Sequence, residues 1–187
     1  MSDKPVGSIR DRISTEETEC LTALYIALYH ELKARYENET GMPVKEYKRL
    51  EPEKIRRFFR EFSGWRCSLF NAGALMLSKL LVIHPLPNMN HRTAITWTIL
   101  FFERNDVRYP SYKVENEKER YKDDCVGYID ESKTFIRAKP KAKAKHLEMT
   151  KDWVKRMAGV PVQSGRLASI SPVATLLRML ITQSGSS

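Results

Sequence analysis

The chain has 187 residues with 32 Lys and Arg against 23 Asp and Glu, a formal charge of +9, and 42 % hydrophobic residues. That length suits one sizeable core with an attached arm, the basic excess suits polyanionic partners, and no stretch approaches the roughly 18 apolar residues of a membrane span. Cys20, Cys67 and Cys125 are odd in number and form no C-x-x-C pair, which argues against a disulfide framework or zinc knuckle; with no apolar segment behind Met1, a cytoplasmic protein is expected.

Residues 1–14 are polar, with Pro5, Gly7 and mixed charges, and read as a flexible tail. Ser14 or Thr15 ahead of Glu16, Glu17 and Glu19 supplies a hydroxyl cap and first-turn acids. Leu21, Leu24, Tyr25, Leu28, Leu32 and Tyr36 then follow at steps of three and four. A helix is predicted to about Tyr36, ended by Gly41 and Pro43. Residues 44–50 read as a connection with room for a short extended piece. Pro52 opens a short helix whose buried face is Ile55, Phe58, Phe59 and Phe62, with Gly64 as its stop.

Residues 69–82 and 90–103 are apolar round most of their circumference, as helices central to a domain are. Trp97, Phe101 and Phe102 are therefore expected in the core. Residues 115–124 predict a charged helix and Val126-Gly127-Tyr128 a turn. Residues 133–145, with Lys133, Arg137, Lys139, Lys141, Lys143 and Lys145 around Pro140, read as a solvated, flexible segment. A last helix of the domain is predicted over 146–157. Residues 159–169 have linker composition. Beyond Ser171-Pro172, Val173, Leu176, Leu177, Leu180 and Ile181 keep a helical period. No strand-like alternation stands out, so the predicted class is all-α: a helical domain over 15–157, then a linker and C-terminal amphipathic helix over 158–187.

Between the two apolar helices lies His84-Pro85-Leu86-Pro87-Asn88-Met89-Asn90-His91-Arg92-Thr93. Pro85 and Pro87 forbid helix between them. A helix opening at Asn90 turns its free backbone N–H groups into this loop, which makes the loop an anion site with a histidine beside it. Taken singly, His84 is an ordinary loop residue, and zinc at His84 and His91 lacks further ligands.

In this register the loop resembles the active-site motif of the Fic/Doc family, H-x-F-x-[DE]-[GA]-N-[GK]-R-T, through His84, Asn90, Arg92 and Thr93. Ile95, where Fic enzymes usually carry a second Arg, brings it closer to the Doc branch. The resemblance implies a Fic/Doc-like helical domain whose central helices flank the loop. It implies transfer of a phosphate-containing group, phosphoryl favoured, from ATP or another nucleoside triphosphate to a hydroxyl of a target protein, by a toxin of a toxin–antitoxin system. His84 would be the general base and Arg92 the cation that offsets developing charge. Asn88, Met89, Asn90, His91, Arg92 and Thr93 would hold the nucleotide phosphates, with Asn88 at the position of the Mg²⁺ ligand. The implied partners are the target protein and an antitoxin; the C-terminal helix offers a homodimer contact. No membrane and no specific nucleic acid are expected, since a basic nucleic-acid-binding reading rests on charge alone.

Two departures bear on activity. Asn88 stands where the family has an acid, which weakens a hold on Mg²⁺. Met89 replaces a small residue where backbone must approach phosphate. They keep two alternatives open: an adenylyltransferase (AMPylator) of the Fic type, and a catalytically weakened Fic-fold binding or regulatory protein. The string Ser111-Tyr112-Lys113-Val114-Glu115-Asn116 matches the Fic inhibitory motif S/T-x-x-x-E-[GN], but it lies just behind the second apolar helix and reads as chance.

Overall fold

A computed structural model of the chain describes residues 13–63, 67–105, 115–137 and 142–157. Among them every element is helical: α1 (Thr15–Thr40), α2 (Pro52–Phe62), α3 (Leu69–Ile83), α4 (Asn90–Glu103), α5 (Glu115–Arg137) and α6 (Ala142–Met157). Residues 1–12 of the expected tail and the C-terminal helix lie outside the described residues, as do Gly64 and residues 111–114 of the inhibitory string; the tail's last two expected residues are ordered, Ile13 being buried and Ser14 capping α1.

Local chemistry sets most of these boundaries. At the start of α1 the Ser14 hydroxyl accepts from Glu17 N–H at 3.1 Å, and the Glu17 carboxylate accepts from Ser14 N–H at 2.6 Å. This reciprocal capping satisfies two helix-end donors at once. The helix continues a turn past Tyr36 and stops at Gly41, whose φ of 67° is a left-handed conformation that glycine takes without penalty. Pro52 occupies the first turn of α2, and Ser68 caps α3 by accepting from Asn71 N–H.

Helix α3 lies against α2, α4 and α6, while α4 also packs on α1. One close approach lets α3 and α4 meet. A Cβ on Gly73 would stand 2.3 Å from the Phe102 ring, which is fully buried beside Phe101 and Phe70. On the other side of α4, Trp97 meets Tyr25 of α1 edge-on at 5.4 Å and Phe59 of α2 at 5.5 Å. Trp97, Phe101 and Phe102 are thus core residues, and the aromatic cluster fixes α4 against three neighbours.

Helix α5 differs from expectation. No turn forms at Val126-Gly127-Tyr128; the helix runs straight through to Arg137. Cys125, Tyr128 and Ser132, spaced three and four apart, are all buried, and Tyr128 stacks on Trp153 of α6 at 4.4 Å. One glycine costs a helix about 1 kcal/mol, less than burying a large aromatic contributes. The expected flexible segment at 133–145 is likewise helical over 133–137 and from Ala142 onward. The three cysteines are free. No described helix is long and apolar enough to cross a membrane.

These contacts give opposite expectations for two glycines. Gly73→Ala forces a methyl into a buried ring and should lower stability by about 1–3 kcal/mol. Gly127→Ala, whose Cβ meets nothing within 4 Å, should raise it by about 0.5–1 kcal/mol. Urea denaturation followed by circular dichroism reads both.

Candidate anion-binding site

The loop between α3 and α4 is built from two left-handed residues and one side-chain clasp. His84 ends α3 at φ 48°, its N–H bonded to Leu80 O at 3.1 Å, and Met89 precedes α4 at φ 55°. Each non-glycine residue in that region costs roughly 1–2 kcal/mol, so the surroundings must over-determine the loop. Asn90 does this from the first turn of α4. Its Oδ1 accepts from Leu86 N–H at 2.9 Å and its Nδ2 donates to Leu86 O at 2.9 Å. Leu86 itself is fully buried and anchors the loop in the core.

Residues 44–50, expected to be a connection with room for a short extended piece, lie along the loop together with Glu51. Tyr47 N–H donates to Pro87 O at 3.2 Å and Glu51 N–H to Pro85 O at 2.9 Å. The prolines contribute only acceptors to this pairing. The Asn88 amide donates to Lys45 O at 2.6 Å, and the Lys48 ammonium bonds both the His84 carbonyl and Glu51. Lys48 first, then Lys54, hold the Glu51 carboxyl down at about 2. The stretch is tied to α1 on its other side, through Val44 N–H on Glu37 at 2.8 Å and through Glu46, which accepts from Lys33 at 2.8 Å and Tyr29 at 3.1 Å.

A cavity of about 990 Å³ opens between this strip, the loop and α5. Its lining includes five cationic side chains, Lys45, Lys48, Arg92, Lys133 and Arg137, and one acid, Asp130. Asp130 is itself paired with Lys133 at 3.1 Å. The N-terminus of α4 also faces it: Asn90, His91 and Arg92 line the cavity, Met89 provides no side-chain cap, and the first turn contains no acid. The free N–H groups of the first turn, the helix dipole and the excess of cations over acids all favour an anion here.

Arg92 is exposed, stacks on the Tyr36 ring at 4.8 Å, and has no carboxylate partner among the described residues. His84 stands at the solvent edge of the cavity. Partial burial, then Lys48 and Lys54, keep its pKa below the ordinary value of 6.5, so the ring is neutral at pH 7. The Asn90 amide donates to His84 Nδ1 over 3.4 Å, which places the ring proton on Nε2. A bond that long is weak, and giving it up frees the other tautomer, in which Nε2 accepts a proton. His91 meets Ser132 Oγ through Nε2 at 3.0 Å; burial first, then Lys133, push its pKa down to about 4.

The family model described as a family of unknown function, DUF8172, matches residues 3–165. The chain belongs to that family. No curated protein and no solved structure matches it.

In this DUF8172 member, His84, Asn88, Met89, Asn90, His91 and Arg92 come together on one cavity. Thr93 does not: its side chain is fully buried and its hydroxyl has no partner in the core. Asn90 lines the cavity but spends its polar atoms on the loop backbone and His84, so it positions the loop. Asn88 suits Mg²⁺ poorly. Its Oδ1 accepts from Met89 N–H at 2.6 Å and its amide is committed to Lys45 O, a bond that an aspartate there could not donate. Among the described residues no group of three or more His, Cys, Asp or Glu is arranged to hold a metal. Lys133 and Arg137, read from sequence as solvated, belong to the cavity wall, as do Tyr36, Lys45 and Lys48, which carried no local signal of a site.

The clasp predicts a specific loss. Asn90→Asp places a carboxylate, at a position only 3 % exposed, against the Leu86 carbonyl and His84 Nδ1. Stability at pH 7 should fall by about 1–3 kcal/mol. Burial raises the pKa of such a carboxyl, so part of the loss should return as the pH is lowered through it. Urea unfolding at several pH values measures both.

Proposed function

We propose that the cavity binds a nucleoside triphosphate and that the protein transfers its terminal phosphoryl group to a hydroxyl of a target protein. The observation that carries this reading is a neutral histidine, His84, on the same cavity as an uncapped helix N-terminus and Arg92, which has no carboxylate partner among the described residues. Phosphoryl transfer asks mostly for positioning and charge stabilisation, so these few groups suffice. The polyphosphate lies at the first turn of α4, with Arg92 on its oxygens and Lys133 and Arg137 across the cavity. The target hydroxyl oxygen forms a bond to the γ-phosphorus, and the bond from that phosphorus to the leaving diphosphate breaks. The hydroxyl proton passes to His84, which releases it to solvent.

Mg²⁺ enters as the metal complex of the nucleotide, and its charge neutralises the phosphates; no residue of this chain is assigned to hold it. The resemblance to the Doc branch, through His84, Asn90, Arg92 and Ile95, supports terminal transfer over adenylyl transfer. It also supports the toxin reading, with an antitoxin as partner. The engagement of Asn88 by Lys45 and Met89 favours, as a second reading, a binding protein of this fold with weak catalysis.

Labelled ATP separates these readings. With Mg²⁺ and cell lysate, label from the γ position alone should reach a protein target, and His84→Ala should reduce it by about 10²–10⁴-fold. Label from the α position means adenylyl transfer. Absence of both, with ATP still bound, means the binding protein. Because the His84 pKa is lowered, the rate should stay level around neutrality and fall only at pH values below 6.5.

A further inference from the structure

Four polar side chains from four helices line up behind the loop. His91 Nε2 of α4 is 3.0 Å from Ser132 Oγ of α5, which is 2.8 Å from His146 Nε2 of α6. His146 Nδ1 is in turn 2.8 Å from Ser78 Oγ of α3. Ser132 and His146 have no exposed surface, and Ser78 is buried. Nothing in the proposed transfer uses them.

Counting donors and acceptors gives the row a direction. A neutral imidazole has one N–H and one bare nitrogen, and a hydroxyl has a single proton. Among the described residues the Ser78 hydroxyl has one partner, His146 Nδ1. If Nδ1 donated, the Ser78 proton would be buried without an acceptor, at a cost of about 1–3 kcal/mol. Ser78 therefore donates to Nδ1, and the His146 proton sits on Nε2 and is donated to Ser132. Ser132 also neighbours the Tyr128 hydroxyl, but its contacts of hydrogen-bond geometry are to the two histidines, so with His146 donating to it Ser132 donates to His91 Nε2. That leaves the His91 proton on Nδ1, which has no partner among the described residues and is not one of the buried unpaired atoms. The ring lines the cavity at the first turn of α4.

We propose that Ser78, His146 and Ser132 are positioning residues that hold His91 as a neutral Nδ1–H donor to a phosphate oxygen of a polyphosphate ligand. The ligand part rests on the nucleotide reading; the direction of the row does not. The groups facing His91 agree with a neutral ring: Lys133 of α5, His84 of the loop and His146 of α6 all oppose a positive charge there, and only Asp130 of α5 favours one. Burial likewise keeps His146 neutral, with its pKa lowered to about 4. In a cavity with five cations, a neutral donor adds a hydrogen bond to the anion without adding repulsion to the empty site.

Histidine tautomers can be read directly, by long-range ¹H–¹⁵N correlation on the full chain labelled at histidine. At pH 7 the free protein should show His91 protonated on Nδ1 and His146 on Nε2. Titration with tripolyphosphate should shift the His91 Nδ1 signal. Ser78→Ala should remove the Nδ1 preference of His91 and weaken tripolyphosphate binding several-fold, while Ser78→Thr, which restores the hydroxyl, should recover both. His91 found as the Nε2–H tautomer or as imidazolium in the free wild type overturns the proposal, whatever the variants do. The expected tautomer with an Nδ1 signal unmoved at saturating tripolyphosphate overturns the ligand contact. If tripolyphosphate moves no resonance of the loop at all, the nucleotide reading falls with it, whereas the wrong tautomer in a protein that binds tripolyphosphate overturns the relay and leaves that reading standing.

Discussion

Two hydrogen bonds of 2.9 Å between the Asn90 side chain and the Leu86 backbone hold the loop on which the rest of the site depends. An amide can donate and accept at once, so one side chain satisfies both polar groups of a residue whose own side chain is sunk in the core. With Leu86 fixed, the left-handed turns at His84 and Met89 become the affordable way to close α3 onto α4. The close passage of Phe102 over Gly73 sets how near those helices come. The strip at 44–51 then adds a second layer, pairing with the proline carbonyls that the loop could not pair internally.

Electrostatics follow from this scaffold. Opening α4 at Asn90 turns its uncapped end to the cavity, and α5, by staying helical past Tyr128, places Lys133 and Arg137 on the opposite wall. Most other cations nearby have acids to answer them: Lys33 has Glu46, Lys54 has Glu51, and Arg56 has Glu19. Among the described residues Arg92 has no acid, and it lies against the face of Tyr36. An arginine stacked on a ring keeps its planar donors oriented, which suits recognition of a phosphate better than a freely rotating ammonium does. Neutral histidines among these cations can offer hydrogen bonds and, in the proposed transfer, a proton acceptor without raising the charge further.

How much of this could be read from the chain depends on how local each cause is. The capping pair Ser14 and Glu17, Pro52 at the head of α2, and the two apolar runs around the loop are local, and α1 to α4 fall close to where they are expected. Gly127 is also local and misled, because the contact that outweighs it, Tyr128 on Trp153, lies on another helix. Lys133 and Arg137 stay exposed as expected, and the continuation of α5 sets them on the rim of the cavity. Within the loop the register was legible but the division of labour was not: whether Asn90 grips a ligand or its own backbone depends on where Leu86 points. Ser78, Ser132 and His146 gave no signal, since a buried hydrogen-bond row across three helices has no sequence period.

The proposed function requires the loop to present a polyphosphate site whose charge Arg92 reads. Calorimetric titration of ATP and of adenosine into the full chain, with Arg92→Ala alongside, tests it most directly. ATP should bind far more tightly than adenosine, and Arg92→Ala should weaken ATP by about tenfold or more while leaving the fold intact, as loss of a charge-assisted contact worth about 1.5–3 kcal/mol requires. Equal affinity for ATP and adenosine, or ATP binding untouched by Arg92→Ala, would contradict it.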